Sequence, residues 1–224
     1  MDKENKKMEE NTAKKLEEKK YTYADLLEMD DENRYEIIDG KLYLMSSPRI
    51  KHQVLAGEIF AQLRDCLKGK KCRPFIAPLD VTFSKYKQDN KIYNVVQPDI
   101  SVVCNEEQLR DPRKITDAPS FVIEILSPST SRKDRLEKMN LYQKYGVKEY
   151  WILDPVDMIV TPYILDEKGF YKVEKTYDLT KEEVPVKTLS GCKINIREFI
   201  KENSFWMNDE LTGFIVYEED VKKD

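Results

Sequence analysis

The clearest pattern in the chain is the apolar, β-branched run Phe121-Val-Ile-Glu-Ile-Leu, stopped by Pro128. A short run of this kind between turn signals predicts a buried strand. Strand alternation puts Phe121, Ile123 and Ile125 on one face and Val122, Glu124 and Leu126 on the other. Glu124 is then a carboxylate on an oily face, which is costly unless a cation pairs with it or the strand end releases it to solvent. Ser129-Thr-Ser supplies N-cap residues for a following helix and Gly146 its stop. Spaced at the helical period, Leu141, Tyr142 and Tyr145 form an apolar stripe that also contains Asp134 and Lys138, while Lys133 points nearly the opposite way. Asp134 and Lys138 either make an ordinary pair one turn apart or both reach back toward Glu124. Glu149-Tyr-Trp-Ile-Leu-Asp154-Pro repeats the strand signal. Strand, helix and strand with short joints predict two parallel strands and a right-handed crossover.

Elsewhere the pattern divides the chain into a charged tail over 1–20, disordered or a frayed helix, one domain over 21–203, and an aromatic and acidic tail over 204–224 with Phe205, Trp206, Phe214 and Tyr217. Thr22 caps a short helix beginning at Tyr23. Asp39-Gly40 between Arg34-Tyr-Glu-Ile-Ile and Lys41-Leu-Tyr-Leu-Met predicts an N-terminal hairpin that carries Glu36 on the face of Arg34 and Ile38. A helix is expected over about 50–67, with Val54, Leu55, Ile59, Phe60 and Leu63 as its core stripe, His52 in its first turn and Gly69 at its end. Strand pieces flank Pro78, residues 85–94 read as a turn or loop, and 95–104 reads as one strand bearing Gln97 and Asp99. A charged loop is expected over 105–119, a C-terminal hairpin over 158–173 with Pro162 at an edge, and a closing strand with a short helix over 192–203.

The net charge of −4 excludes a chain that binds nucleic acid through overall basicity, though not one with a local basic surface. No apolar run approaches the ~18 residues of a membrane span, and the N-terminus lacks the apolar segment of a signal peptide. These features predict a cytoplasmic protein, no membrane partner, and reduced thiols at Cys66, Cys72, Cys104 and Cys192. A single histidine and no C-x-x-C spacing argue against zinc.

Asp80, Asp99 and Glu124 stand at strand positions sheltered from water, with Lys138 on the following helix. Singly, Asp80 and Asp99 read as turn residues at strand starts and His52 as a capping or surface residue. Together, two carboxylates and a lysine form the set that a metal-dependent nuclease uses. Carboxylates hold Mg²⁺, the metal polarises a phosphoryl oxygen and acidifies a bound water, and the lysine orients that water or steadies developing charge.

Tyr35-Glu-Ile-Ile-Asp-Gly-Lys-Leu, the Pro48/His52 segment, Gln97-Pro-Asp-Ile-Ser-Val-Val, Ile123-Glu-Ile-Leu-Ser-Pro-Ser-Thr, Asp134-x-x-x-Lys138-x-x-x-Tyr142 and Gly146-Val-x-Glu-Tyr-Trp-Ile-x-Asp occur in that order. Over about residues 22–200 they resemble the Uma2 family of the PD-(D/E)XK restriction-endonuclease-like superfamily. The resemblance implies an α/β fold with a mixed β-sheet flanked by helices, a Mg²⁺-dependent nuclease site in which Mn²⁺ can substitute, a DNA substrate, and often a homodimer. Carried over, Asp99 and Glu124 would be catalytic metal ligands, Lys138 the catalytic lysine, and Glu36 a support for metal or water. His52, Asp80, Asp134 and Gln97 are supporting candidates. The superfamily's usual lysine, two residues after the glutamate, is Leu126 here, so the lysine looks displaced to the helix. The competing expectation is a catalytically inert nuclease fold kept as a binding or scaffold module, with the C-terminal aromatics as its partner surface.

Overall fold

The computed structural model describes residues 19–29 and 32–203. Most of the charged tail and the whole C-terminal segment with Phe205, Trp206, Phe214 and Tyr217 lie outside the described residues. Helix α1 (Tyr23–Leu27) begins at a capping box made by Thr22 and Asp25. The hairpin β1 (Tyr35–Ile38) and β2 (Lys41–Leu44) turns through Asp39 (φ 50°) and Gly40 (φ 83°), the left-handed pair that a two-residue hairpin loop requires. Helix α2 (Ile50–Cys66) follows. Next come β3 (Arg73–Ile76), β4 (Asp80–Thr82), β5 (Val95–Val96), β6 (Ile100–Val103), β7 (Lys114–Thr116) and β8 (Phe121–Ile125). A helical segment, α3, occupies 131–145, and Gly146 ends it in the left-handed conformation (φ 83°). Strands β9 (Glu149–Asp154), β10 (Ile159–Leu165), β11 (Tyr171–Lys172), β12 (Tyr177–Asp178), β13 (Val184–Pro185) and β14 (Lys193–Ile194) and helix α4 (Arg197–Glu202) complete the described elements.

The larger sheet has the order β11-β10-β9-β8-β6-β3, with β12 also on β10. It is mixed: β8 and β9 are parallel, joined through α3 as expected, and the other pairs are antiparallel. The N-terminal hairpin belongs to a second sheet of order β2-β1-β5-β4-β7. Strand β8 alternates as the sequence predicts. Phe121, Ile123 and Ile125 join Leu55, Ile59 and Leu63 of α2 in one core, whereas Val122 and Leu126 join Leu141 and Tyr142 of α3 in the other. The larger sheet is thus covered on both faces, which is why β8 reads as an apolar run interrupted only by Glu124. Glu124, on the α3 face, is enclosed with only 3% of its surface exposed.

Several local expectations are corrected. The stretch 95–104 is two strands, one in each sheet, because Pro98 has no N–H to continue a ladder. That break leaves Gln97 and Asp99 at the crossing between sheets. The loop 105–119 contains β7, which pairs in parallel with β4. Strand β10 lies inside its sheet, not at the edge. Pro162 fits there because β12 pairs only at Ile159 and Val160 and β11 only at Ile164 and Leu165, leaving its outer side open.

The four cysteines are not thiols. Cys66 is joined to Cys192, and Cys72 to Cys104. Folding brings them together across long separations: Cys66 ends α2 beside the approach to β14, and Cys72 and Cys104 flank the antiparallel β3–β6 pair. Replacing both members of either pair with serine should cost about 2–4 kcal/mol of unfolding free energy, most of it through a less constrained unfolded chain. Urea titration checks this; an unchanged midpoint would show that the bridges do not constrain the unfolded state.

Candidate functional site

A cleft of about 370 Å³ opens where the two sheets, the start of α2 and the start of α3 meet, and Glu36, Asp99, Glu124, Asp134 and Lys138 all face it. Its centre is Glu124. Oε1 of this residue accepts from Lys138 Nζ (2.9 Å) and from the Tyr142 hydroxyl (2.6 Å), and Oε2 has no hydrogen-bond partner among the described residues. Lys138 is itself buried. Its ammonium lies 2.8 Å from Glu36 Oε1 and 3.7 Å from Asp134 Oδ1.

Glu36 comes from β1 and has no exposed surface. It accepts from the Gln97 backbone N–H (2.9 Å) and is gripped by two lysines, Lys138 at Oε1 and Lys133 at Oε2. Lys133 was expected on the opposite side of its helix. The correction has a local cause, since α3 is not a regular α-helix. Residues Ser131–Lys133 are α-helical, Asp134–Lys138 form a π-helical turn, and Met139–Tyr145 resume the α-helix. In an α-helix, positions five apart are separated by about 140°. In a π-turn they are hydrogen-bonded neighbours on one face. The turn therefore swings Lys133 onto the face of Lys138.

Asp99, just before β6, holds Oδ2 toward the Ile125 backbone N–H (2.7 Å) and His52 Nε2 (3.1 Å). Its Oδ1 has no such partner among the described residues. His52 is thus brought to Asp99 from the first turn of α2, and its Nδ1 is buried without a partner. Gln97 lines the cleft and passes its side chain to Asp80 (2.9 Å), so Asp80 stands one residue behind the cleft and not on its wall. At the rim, hydroxyl contacts run from Ser46 to Ser129, Ser127 and Thr130.

Burial pushes the Glu124 carboxyl well above the usual carboxylate range, and although Lys138 opposes the shift, Asp134, Asp99 and Glu36 reinforce it. Burial likewise raises Asp134, against Lys138. Glu36 goes the other way: burial alone would raise it, but Lys138 and Lys133 hold it below the ordinary value. Burial would lower Lys138, yet Glu124, Glu36 and Asp134 keep it charged to well above the ordinary lysine range. His52 is raised: burial disfavours its charge, and the bond to Asp99 outweighs that.

Asp99 and Glu124 both line the polar cleft, and each has one oxygen without a hydrogen-bond partner among the described residues, a donor set that suits a hard divalent cation such as Mg²⁺. Among the described residues no three His, Cys, Asp or Glu side chains form a ready-made metal cage. Two carboxylates agree with the way Mg²⁺ is often held, with waters and substrate phosphate completing its shell. Asp99, Glu124, Lys138, Glu36, His52, Asp134 and Gln97, all candidates from the sequence, line the one cleft. The regular helical period hides Lys133, which the π-turn brings round, and the hydroxyl of Tyr142, whose ring falls in the apolar stripe. A buried tyrosine beside a buried acid was the available signal.

The sequence profile of the Uma2 family, described as "Putative restriction endonuclease", matches residues 21–197. A crystal structure titled as a "putative nuclease belonging to DUF820", from Anabaena variabilis, has the same fold. Its TM-score is 0.64 at 24% sequence identity, over 84% of this chain and 99% of that one. The "Uncharacterized protein slr1290" of Synechocystis sp. is 29% identical over 137 residues, 61% of this chain and 68% of its own length. With the restriction-endonuclease-like fold in hand and the profile running from the residue before Thr22 to the first residue of α4, this chain belongs to the Uma2 family.

Proposed function

We propose that this protein is a metal-dependent endonuclease that hydrolyses phosphodiester bonds in DNA. The observation that carries the reading is the meeting of Asp99 and Glu124 in one cleft with the buried ammonium of Lys138. Their free oxygens would hold Mg²⁺, or Mn²⁺ in its place, and the ion would supply Lewis-acid activation of the phosphate and an acidified water. The chain's own groups do the rest. His52 and the Ile125 amide fix the Asp99 carboxylate through Oδ2, and Lys138 and Tyr142 fix Glu124 through Oε1. Each acid thereby keeps its other oxygen unengaged among the described residues and available to an ion in the cleft. Lys138 stays cationic and supplies positive charge beside the place where negative charge grows during attack on phosphorus. Glu36, ionised between two lysines, holds both ammonium groups in place. Asp134 and Gln97 support the same cluster, and Asp80 acts through Gln97.

Family membership supports a nuclease, and DNA is the substrate that the family's description suggests. No helix among the described residues is long and apolar enough to cross a membrane. Action on DNA would place the protein in the cytoplasm, a compartment in which two disulfides are uncommon outside the proteins of hyperthermophiles. A homodimer is part of the proposal, to be read from sedimentation.

The purified protein is expected to cut single-stranded, duplex or branched DNA with Mg²⁺ or Mn²⁺ and to be silent in EDTA. Asp99→Asn should lower the rate by at least about a hundredfold, since even outer supports of metal ligands cost 10–100-fold when removed. No cleavage of any of these DNAs with either metal, together with no carboxylate-dependent metal binding by calorimetry, would favour an inert scaffold.

A further inference from the structure

A second cavity of about 200 Å³ shares a wall with the acidic cleft. Arg49, His52, Ser127 and Pro128 line both. The two differ in chemistry. The first is built from carboxylates, lysines and hydroxyls; the second joins an apolar set, Leu126, Pro128, Pro155 and Val156, to a polar margin that includes Lys51 and a single carboxylate, Asp154. Val156 is 71% exposed, an uncovered hydrophobic side chain at the opening. Ser131 and Asp154 supply polar atoms at the margin. Arg49 stands on the shared wall with no acidic partner among the described residues, and the first turn of α2 that it precedes carries no acid.

We infer that the second cavity receives one nucleobase of the strand whose phosphate lies in the acidic cleft; this rests on the nuclease reading. A nucleotide joins an anionic phosphate to a flat, largely apolar ring across a single sugar, and the paired cavities repeat that order across the Ser127–Pro128 wall. Cavities for drug-sized ligands run to about 300–1,000 Å³, so this one suits a single heterocycle and not a folded element of another protein. The guanidinium of Arg49, without an acidic partner among the described residues and on the wall shared by both cavities, complements the phosphate of that nucleotide. A base inside a duplex cannot enter such a cavity while stacked. The nucleotide taken is therefore one already unpaired, or one turned out of its stack. The protein thus prefers DNA with an unpaired nucleotide beside the bond to be cut.

The test is made in EDTA, where nothing is cleaved. A fluorescent base, 2-aminopurine, is moved along a single-stranded oligonucleotide and read on binding to the wild-type chain and to Val156→Glu. Val156 is exposed and outside the acidic cleft, so the variant should keep its circular dichroism and melting temperature. In the wild-type complex the fluorescence at one position is expected to change sharply, and Val156→Glu should remove that change. An abasic residue at the same position should weaken wild-type binding about tenfold, the size of one lost base contact, and leave Val156→Glu binding unaltered. No position-specific signal, a signal that survives Val156→Glu, or no binding of the oligonucleotide at all would overturn the inference. A signal without any later Mg²⁺-dependent cutting would sink the nuclease reading alone, and cutting without a signal would sink the base cavity alone.

Discussion

Glu124→Gln is expected to abolish DNA cleavage and yet raise the melting temperature of the metal-free protein. Both donors to this side chain, Lys138 Nζ and the Tyr142 hydroxyl, meet the same oxygen, Oε1. A glutamine oxygen in that place can accept both, so the packing and the two bonds survive. What changes is the other oxygen, which becomes a neutral amide that no longer attracts a hard cation. The rate should fall by at least about a hundredfold on the scale of lost metal supports.

The stability gain follows from the sign of the Glu124 shift. Burial raises its folded pKa well above the ordinary value of 4.5. The native state therefore binds more protons than the unfolded chain between 4.5 and the raised value, and the wild type loses stability as pH climbs through that window. Glutamine does not titrate, so the advantage of the variant should be absent at pH 4 and open as pH rises. At pH 8 in EDTA about 0.5–2 kcal/mol is expected, the size of a typical single stabilising replacement. Added Mg²⁺ should raise the melting temperature of the wild type and not of the variant, because under the proposed function only the former holds the ion. A variant that melts below the wild type at pH 8 in EDTA would show that the buried charge is not a burden on the fold.

Such an exchange of stability for charge cannot be read from residue type alone. Glu149 is as deeply buried as Glu124, and it too sits in a strand of the larger sheet. Its carboxylate takes bonds from Trp151 Nε1, from the backbone N–H groups of Lys187 and Thr188, and from the Thr188 hydroxyl. It is a satisfied pin for the loop before β14. The sequence marks Glu124 more clearly because an acid and a lysine fall in the stripe of the next helix, and that inference depends only on local periods of two and 3.6 residues. Features of this local kind were legible: the Asp39-Gly40 turn, the span of α2, and the β8–α3–β9 unit ending at Gly146. What failed was non-local or aperiodic. The passage of Gln97-Pro98-Asp99 between sheets depends on which strands lie on either side, and the disulfides depend on contacts between residues 32 and 126 positions apart. The π-turn breaks the period itself, so a helical wheel sends Lys133 to the wrong face although it handles Asp134 and Lys138 well enough.

Lys138→Met should be the most damaging single change to the fold, costing about 3–5 kcal/mol at pH 8, the usual range when one member of a buried ion pair is removed. Methionine fills much the same volume, so the loss is electrostatic and not a cavity. With the ammonium gone, Lys133 still pairs with Glu36, but buried Glu124 and Asp134 lose the charge of Lys138, and among the described residues Glu124 keeps the Tyr142 hydroxyl alone. Each acid can escape by taking up a proton, and burial already favours that for Glu124 and Asp134. The penalty should therefore shrink as pH falls, and urea titrations at pH 8 and pH 5 should show the wild type and variant drawing closer at the lower pH. Adding Glu124→Gln to Lys138→Met removes one of the stranded charges and should recover part of the loss, so the two changes are not additive. A penalty below about 1 kcal/mol at pH 8, the range of a solvent-exposed pair, would mean that Lys138 is not the cation that lets three acids share one cleft.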